Sequence, residues 1–269
     1  MKLFVKDFNI EQIAESGQCF RWNKIGEIEY RGIVGKNICE VKQVEDVITV
    51  NGISEEEFNN YFDIKRDYGE IKKLYSTDDI LSEAIKYGEG IRILNQDKFE
   101  TLISFIISAN NNIPRIKKSV EAISKNFGKK IKDDFYAFPT PEDLSLATIE
   151  DLTRCGVGFR AKYIHNTCRD ILNEFNLDAI SKLSTTECKK ELMKLMGVGP
   201  KVAECIMLYS MQKFDSFPVD VWIKRIMEEL YIKKEVSINE VGKFAQEKFP
   251  LYPGIVQQYL FFYGREKQL

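Results

Sequence analysis

Four things are missing from this 269-residue chain, and the first three absences each close off a class of protein. Its six cysteines (Cys19, Cys39, Cys155, Cys168, Cys188 and Cys205) fall without paired spacing, so no disulfide framework of the kind that staples small secreted domains is expected. No basic-then-apolar leader opens the chain, and with the unpaired thiols this predicts a reducing, cytoplasmic setting. No apolar run approaches the roughly 20 residues that cross a bilayer, so a membrane protein is not expected. A basic surplus is lacking too, since 39 Lys/Arg against 41 Asp/Glu leave a net charge of −2. The distribution is less neutral: residues 1–100 hold 14 basic against 20 acidic side chains, and the remainder 25 against 21. The small positive bias of the second part suits a phosphate-contacting face, although a solvated mixed surface gives the same sum.

What is present divides into two regimes. From Phe20 to about Val50 short β-prone runs (Glu29–Val34, Asn37–Val41, Asp46–Val50) are punctuated by Gly26, Gly35 and Asn51-Gly52, which predicts a small antiparallel sheet. After Ser54, a capping residue before Glu55-Glu56-Glu57, the apolar spacing becomes helical. Beyond Ile91 nearly every segment reads as helix, including Phe99–Ala109 and a helix opened by Asn112 and Pro114. The expected fold is therefore α+β, with an N-terminal antiparallel β domain with helices (residues 1–90) packed on a larger all-α core (residues 91–269).

The most informative stretch is Leu195-Met196-Gly197-Val198-Gly199-Pro200-Lys201-Val202-Ala203-Glu204-Cys205, followed by Pro218-Val219-Asp220. A helix from about Thr186 to Leu195, a glycine-bearing turn and a helix from Pro200 make a helix-hairpin-helix. Gly197 and Gly199 permit close backbone approach, and the turn's N–H groups with the next helix N-terminus form an anion site. Outward carbonyls of the same turn can hold a monovalent cation bridging to the phosphate. An ordinary helix corner, with glycine there for packing, accounts for the same residues. Lys201 lies in the first helical turn, where the macrodipole and burial both disfavour a cation, and an available neutral amine is what an amine nucleophile needs. A phosphate-gripping surface lysine is the plainer alternative. Asp220 precedes a fresh helical pattern and can act as its N-cap, as a carboxylate facing Lys201, or as both.

The Leu-x-Gly-Val-Gly-Pro-Lys-Val-Ala hairpin, followed by an aspartate nineteen residues after the lysine, resembles the helix-hairpin-helix/GPD DNA glycosylase superfamily. Four further stretches narrow the resemblance to the 8-oxoguanine DNA glycosylase/AP lyases: Ser16-Gly17-Gln18-Cys19-Phe20-Arg21-Trp22, Gly90–Leu94 with Gln96-Asp97, Ser108–Arg115, and Gly156–Tyr163. The similarity runs from about residue 3 to Gly264.

The resemblance implies a monomeric DNA repair enzyme that binds double-stranded DNA, flips out 8-oxoguanine opposite cytosine, and attacks its sugar. Lys201 would strike C1′, expel the base and permit β-elimination, with Asp220 as its carboxylate partner. Gly17 would offer its backbone carbonyl to the N7–H that only the oxidised base carries. Cys205 and Phe261 are similar to the residues that sandwich the flipped base, and Gln257 to the one reading its Watson–Crick edge. Lys201 and Cys205 are four residues apart on one helix face, as are Gln257 and Phe261, and both Phe261 and Cys205 could equally be core. Asn110, Arg115 and Arg160 correspond to residues that fill the vacated stack and read the orphaned cytosine, with Phe159 where the family usually carries a tyrosine wedge. The carbonyls of Met193, Leu195 and Val198 would be the cation ligands. No iron–sulfur cluster is expected, because no cysteine follows Cys205.

Two further positions depart from the pattern. Trp222 replaces a frequent histidine and Gly264 a frequent acidic residue, so altered phosphate anchoring is expected there. The competing readings are a glycosylase of the same superfamily for another damaged base, and a non-catalytic helix-hairpin-helix DNA-binding protein. The latter explains Gly197 and Gly199 but not Lys201, Asp220, Gly17 and Gln257 together.

Overall fold

The computed structural model describes residues 1–267. Five strands, β1 (Lys2–Phe4), β2 (Asn23–Gly26), β3 (Glu29–Val34), β4 (Asn37–Val44) and β5 (Val47–Asn51), form one antiparallel sheet in the order β1-β5-β4-β3-β2. Helix α1 (Ile10–Glu15) links the first two strands. The three central strands match the expected runs and β4 continues to Val44, whereas the edge strands β1 and β2 and helix α1 carry no period long enough to announce them. Alternation decides the register: Tyr30 lies opposite Val41, Val41 opposite Val50, and all three are buried. Gly32 is required because a Cβ there would lie 2.4 Å from the Trp22 ring. Trp22, Tyr30, Phe8, Phe58 and Phe62 fill this smaller core.

Helices α2 (Glu55–Tyr61), α3 (Tyr68–Lys73) and α4 (Asp79–Tyr87) follow. A capping box at Ser54 and Glu57 opens α2, and aspartate caps at Asp67 and Asp78 open the next two. The apolar faces of α3 and α4 (Tyr68, Ile71, Leu81, Ala84) join the larger core rather than the sheet's. A segment without helix or strand, residues 91–97, then runs between the two cores, with Ile91 and Ile93 in the larger and Leu94 in the smaller. Arg92 pins it by donating to the carbonyls of Asp7, Asp63 and Arg66.

The larger core is helical: α5 (Lys98–Ser108), α6 (Ile113–Phe127), α7 (Pro141–Ser145), α8 (Ile149–Leu152), α9 (Arg160–Asn173), α10 (Leu177–Ser181), α11 (Thr185–Leu192), α12 (Pro200–Met211), α13 (Val221–Met227), α14 (Ile238–Lys248) and α15 (Pro253–Lys267). A small hairpin of β6 (Lys130–Lys132) and β7 (Phe135–Tyr136), turning at Asp133 with φ +49°, interrupts the helices after α6. Helix α12 lies at the centre, buried from Val202 to Met211 at every position except Glu204, and packs on α5 and α11. Helix α15 lies along α4 and α13. Among the described residues no helix is long and apolar enough to cross a membrane.

Candidate active site at the hairpin helix

The turn between α11 and α12 assigns different jobs to its two glycines. Helix α11 stops at Leu192, earlier than the expected Leu195, and the intervening residues form tight turns with Leu195 N–H on Leu192 O at 3.1 Å and Val198 N–H on Leu195 O at 3.2 Å. Gly197 has φ +85°, and a Cβ there would lie 2.7 Å from Tyr163 Cδ2, so packing against α9 already demands it. Gly199 has ordinary φ, and nothing within 4 Å would meet its Cβ. Only the second glycine leaves open space for an external group. No side chain caps α12, so its first-turn N–H groups face that space unpaired.

Lys201, half-buried in the first turn of α12, holds its Nζ 5.3 Å from the centroid of the Phe105 ring. Cys205, one turn on, is 3% exposed, and burial pushes its thiol up to about 11. The Lys201 charge lowers that value while the Asp220 and Glu204 carboxylates raise it, so lysine and aspartate act on the same sulfur. Asp220 is the N-cap of α13, its carboxylate accepting Ile223 N–H at 2.8 Å, which fixes one oxygen, and among the described residues no hydrogen bond reaches the other. Lys201 also borders a cavity of about 580 Å³ between α12 and α14, with Glu204, Val219, Gly242 and Lys243 on its walls.

The second cluster centres on Gly17. Its φ is +83°, and a Cβ would lie 3.2 Å from Phe261 Cε1, so the bare backbone at Gly17 fits against that ring. Gln257, one turn before Phe261 on α15, is 4% exposed, and its Oε1 is buried with no hydrogen-bond partner among the described residues. Leaving such an oxygen unpaired costs about 1–3 kcal/mol, which a ligand's donor would recover.

Asn110 and Arg115 sit at the turn between α5 and α6, and Phe159 and Arg160 at the start of α9. Asn110 is exposed with φ +52°, Asn112 caps α6 by accepting Arg115 N–H at 3.0 Å, and the Arg115 side chain is exposed. Phe159, 62% exposed, stands edge-on to Tyr163 with the Arg160 guanidinium 4.4 Å above its ring. Arg160 itself is buried and already committed. It donates to the carbonyl of Val157 at 3.2 Å, to that of Asn110 at 3.0 Å and to that of Ala109. In this structure it shapes the loop that presents Asn110.

Trp222 is 44% exposed in the first turn of α13, beside Asp220. Gly264 has a structural cause: a Cβ there would lie 2.3 Å from Ile226 Cδ1, so α13 occupies the room an acidic side chain would need. Sequence reasoning passed over Phe105, Tyr209 and Gln258. The Tyr209 ring stacks on Phe105 at 5.4 Å, and its hydroxyl donates to Gln258 Oε1 at 2.6 Å. All three lie in apolar runs and read as plain core.

An antiparallel sheet docked on a helical core, with an uncapped hairpin helix that presents a lysine near a helix-capping aspartate, defines a class of DNA-handling protein. Residues 2–102 match the family described as 8-oxoguanine DNA glycosylase, N-terminal domain, and residues 103–250 match the HhH-GPD superfamily base excision DNA repair proteins. The chain belongs to the helix-hairpin-helix/GPD superfamily and, within it, to the 8-oxoguanine DNA glycosylases. It is 32% identical to the N-glycosylase/DNA lyase OGG1 of Arabidopsis thaliana over 97% of this chain and 78% of that protein. It is also 32% identical to the N-glycosylase/DNA lyase of Saccharomyces cerevisiae, over 86% of this chain and 69% of that protein. The Clostridium acetobutylicum 8-oxoguanine glycosylase/lyase, solved with double-stranded DNA containing cytosine opposite 8-oxoguanine, superposes with a TM-score of 0.95. It is 48% identical, with 98% of this chain and 94% of that one covered.

Proposed function

We propose that the protein is a bifunctional DNA repair enzyme that excises 8-oxoguanine opposite cytosine and then cleaves the abasic strand. The observation that carries this reading is the unpaired, buried Gln257 Oε1, one helical turn from the ring against which the bare backbone of Gly17 packs. A flipped purine between Phe261 and Cys205 would supply the missing donor. On this reading the Gly17 carbonyl accepts the N7–H unique to the oxidised base; guanine, with an N7 lone pair, would meet repulsion instead. The Lys201 amine attacks C1′, the C1′–N9 bond breaks, and the base departs with the electron pair. The amine's surplus proton is lost, the second oxygen of Asp220 stabilises the charge developing on the sugar, and the ring opens to an imine. Loss of a C2′ proton then expels the 3′-phosphate.

The hairpin helix N-terminus would grip a backbone phosphate through its uncapped N–H groups, with Gly199 giving room for the approach. A monovalent cation fits the turn: Leu195 O keeps one lone pair after accepting Val198 N–H, and among the described residues no hydrogen bond reaches Met193 O or Val198 O. Every residue invoked comes from one chain, so one copy suffices. The test is a duplex containing a single 8-oxoguanine opposite cytosine: wild type should release the base and nick the strand, and Lys201→Gln should do neither. Intact lesion duplex after prolonged incubation with wild type would overturn the reading.

A further inference from the structure

We propose that Tyr209, Gln258 and Gln96 are a positioning frame that fixes the Gly17 peptide to the helix carrying Lys201, and so sets the discrimination of oxidised guanine from guanine. The inference rests on the function proposed above. It starts from four successive carbonyls, at the last residue of α1 and in the loop that follows. Glu15 O accepts from Arg265 Nη2 at 2.6 Å, Ser16 O from Gln258 Nε2 at 2.9 Å, and Gln18 O from Gln96 Nε2 at 2.8 Å. Among the described residues no donor reaches Gly17 O. The one carbonyl left free is thus held from both sides, its neighbouring peptide units each tied to a glutamine from a distant part of the chain.

Both glutamines report to one residue. The Tyr209 hydroxyl donates to Gln258 Oε1 at 2.6 Å, and the Tyr209 carbonyl accepts Gln96 N–H at 2.9 Å. Burial holds the Tyr209 phenol far above its ordinary range, so the hydroxyl stays a donor. That donation selects one face of the Gln258 amide: with Oε1 engaged, Nε2 must face Ser16 O. Without the hydroxyl the amide can turn over and set oxygen against oxygen. Tyr209 lies on α12, eight residues after Lys201, and its ring stacks on Phe105, the ring beneath the lysine amine. Nucleophile and lesion-reading carbonyl therefore share one rigid support, and a shift between them would uncouple recognition from attack.

The test compares Tyr209→Phe, Gln258→Met and the partly exposed Gln96→Leu with wild type in three single-turnover assays: release of 8-oxoguanine, release of guanine from an undamaged duplex, and cleavage of a duplex with a preformed abasic site. The abasic substrate has no base to read. The frame predicts about a tenfold loss of lesion excision for Gln258→Met, a smaller loss for the other two, and a reduced lesion-to-guanine ratio. Abasic cleavage should stay within about twofold, and Tyr209→Phe with Gln258→Met should be no worse than Gln258→Met alone. Parallel loss on lesion and abasic substrates would show mere destabilisation and overturn the frame, as would unchanged excision or effects that multiply. Wild type inactive on the lesion would instead overturn the proposed function and the frame with it.

Discussion

The Gly264→Ala substitution tests whether two helices of the site are spaced by contact at a single glycine. A Cβ at this position would lie 2.3 Å from Ile226 Cδ1 and 2.5 Å from Cγ1, where carbon pairs settle at about 3.5–4.0 Å. Ile226 is 0% exposed, so its branch cannot swing into water, and the overlap must be relieved by moving α13 away from α15. Overpacking of this kind costs about 1–3 kcal/mol, and with backbone involvement about 2–3 kcal/mol is expected. For a chain of this size that lowers the unfolding midpoint by roughly 4–10 °C. Activity should fall more than stability, because α13 carries Asp220 at its N-cap and α15 carries Gln257 and Phe261. A misplacement of about 1 Å between such groups costs on the order of a hundredfold. The assay pairs calorimetric unfolding with single-turnover lesion excision in the wild-type and Ile226→Ala backgrounds. The second background removes the clashing atoms, so there Gly264→Ala should cost less than about 0.5 kcal/mol. An unchanged midpoint in the wild-type background, or an equal loss in both, would refute the reasoning.

The two hairpin glycines should separate cleanly. Gly197→Ala should lose about 2–3 kcal/mol by thermal unfolding, from strained φ and the Tyr163 contact, whereas Gly199→Ala should unfold like wild type and bind duplex DNA more weakly. Arg160→Met strips the loop carbonyls of their donors and should lower stability by about 2–4 kcal/mol. The exposed Arg115→Ala should leave unfolding unchanged while narrowing the ratio of excision opposite cytosine to excision opposite adenine. Burial raises every thiol, Cys205 to about 11, so native protein at pH 8.5 should resist iodoacetamide and unfolded protein should take up six labels. Rapid labelling of native Cys205 would show that the thiol is not buried beside Lys201 as described.

Much of the fold is legible from local signals. Ser54 and Asn112 announce helices that begin where they predict, because a cap is a contact between residues three apart. Strand β1 is not legible, since its three residues gain meaning only opposite Val47–Thr49, more than forty positions away. The β6–β7 hairpin hides for a related reason: five strand residues offer no period. In the site, Lys201, Asp220, Gly17 and Gln257 stand out because their chemistry or their motif is local. Arg160 shows the limit. Its donors go to carbonyls some fifty residues earlier, a partnership visible only in three dimensions. Tyr209 and Gln258 are lost among apolar neighbours for the same reason.

The central claim is that Lys201 forms a covalent bond with the sugar beneath an oxidised guanine. Borohydride reduction during turnover of an 8-oxoguanine:cytosine duplex, followed by mass mapping of the adduct, tests it most directly. The account predicts one protein–DNA adduct, attached at Lys201 and absent from the undamaged duplex and from Lys201→Gln. An adduct at another residue, or base release with no trapped species, would contradict it.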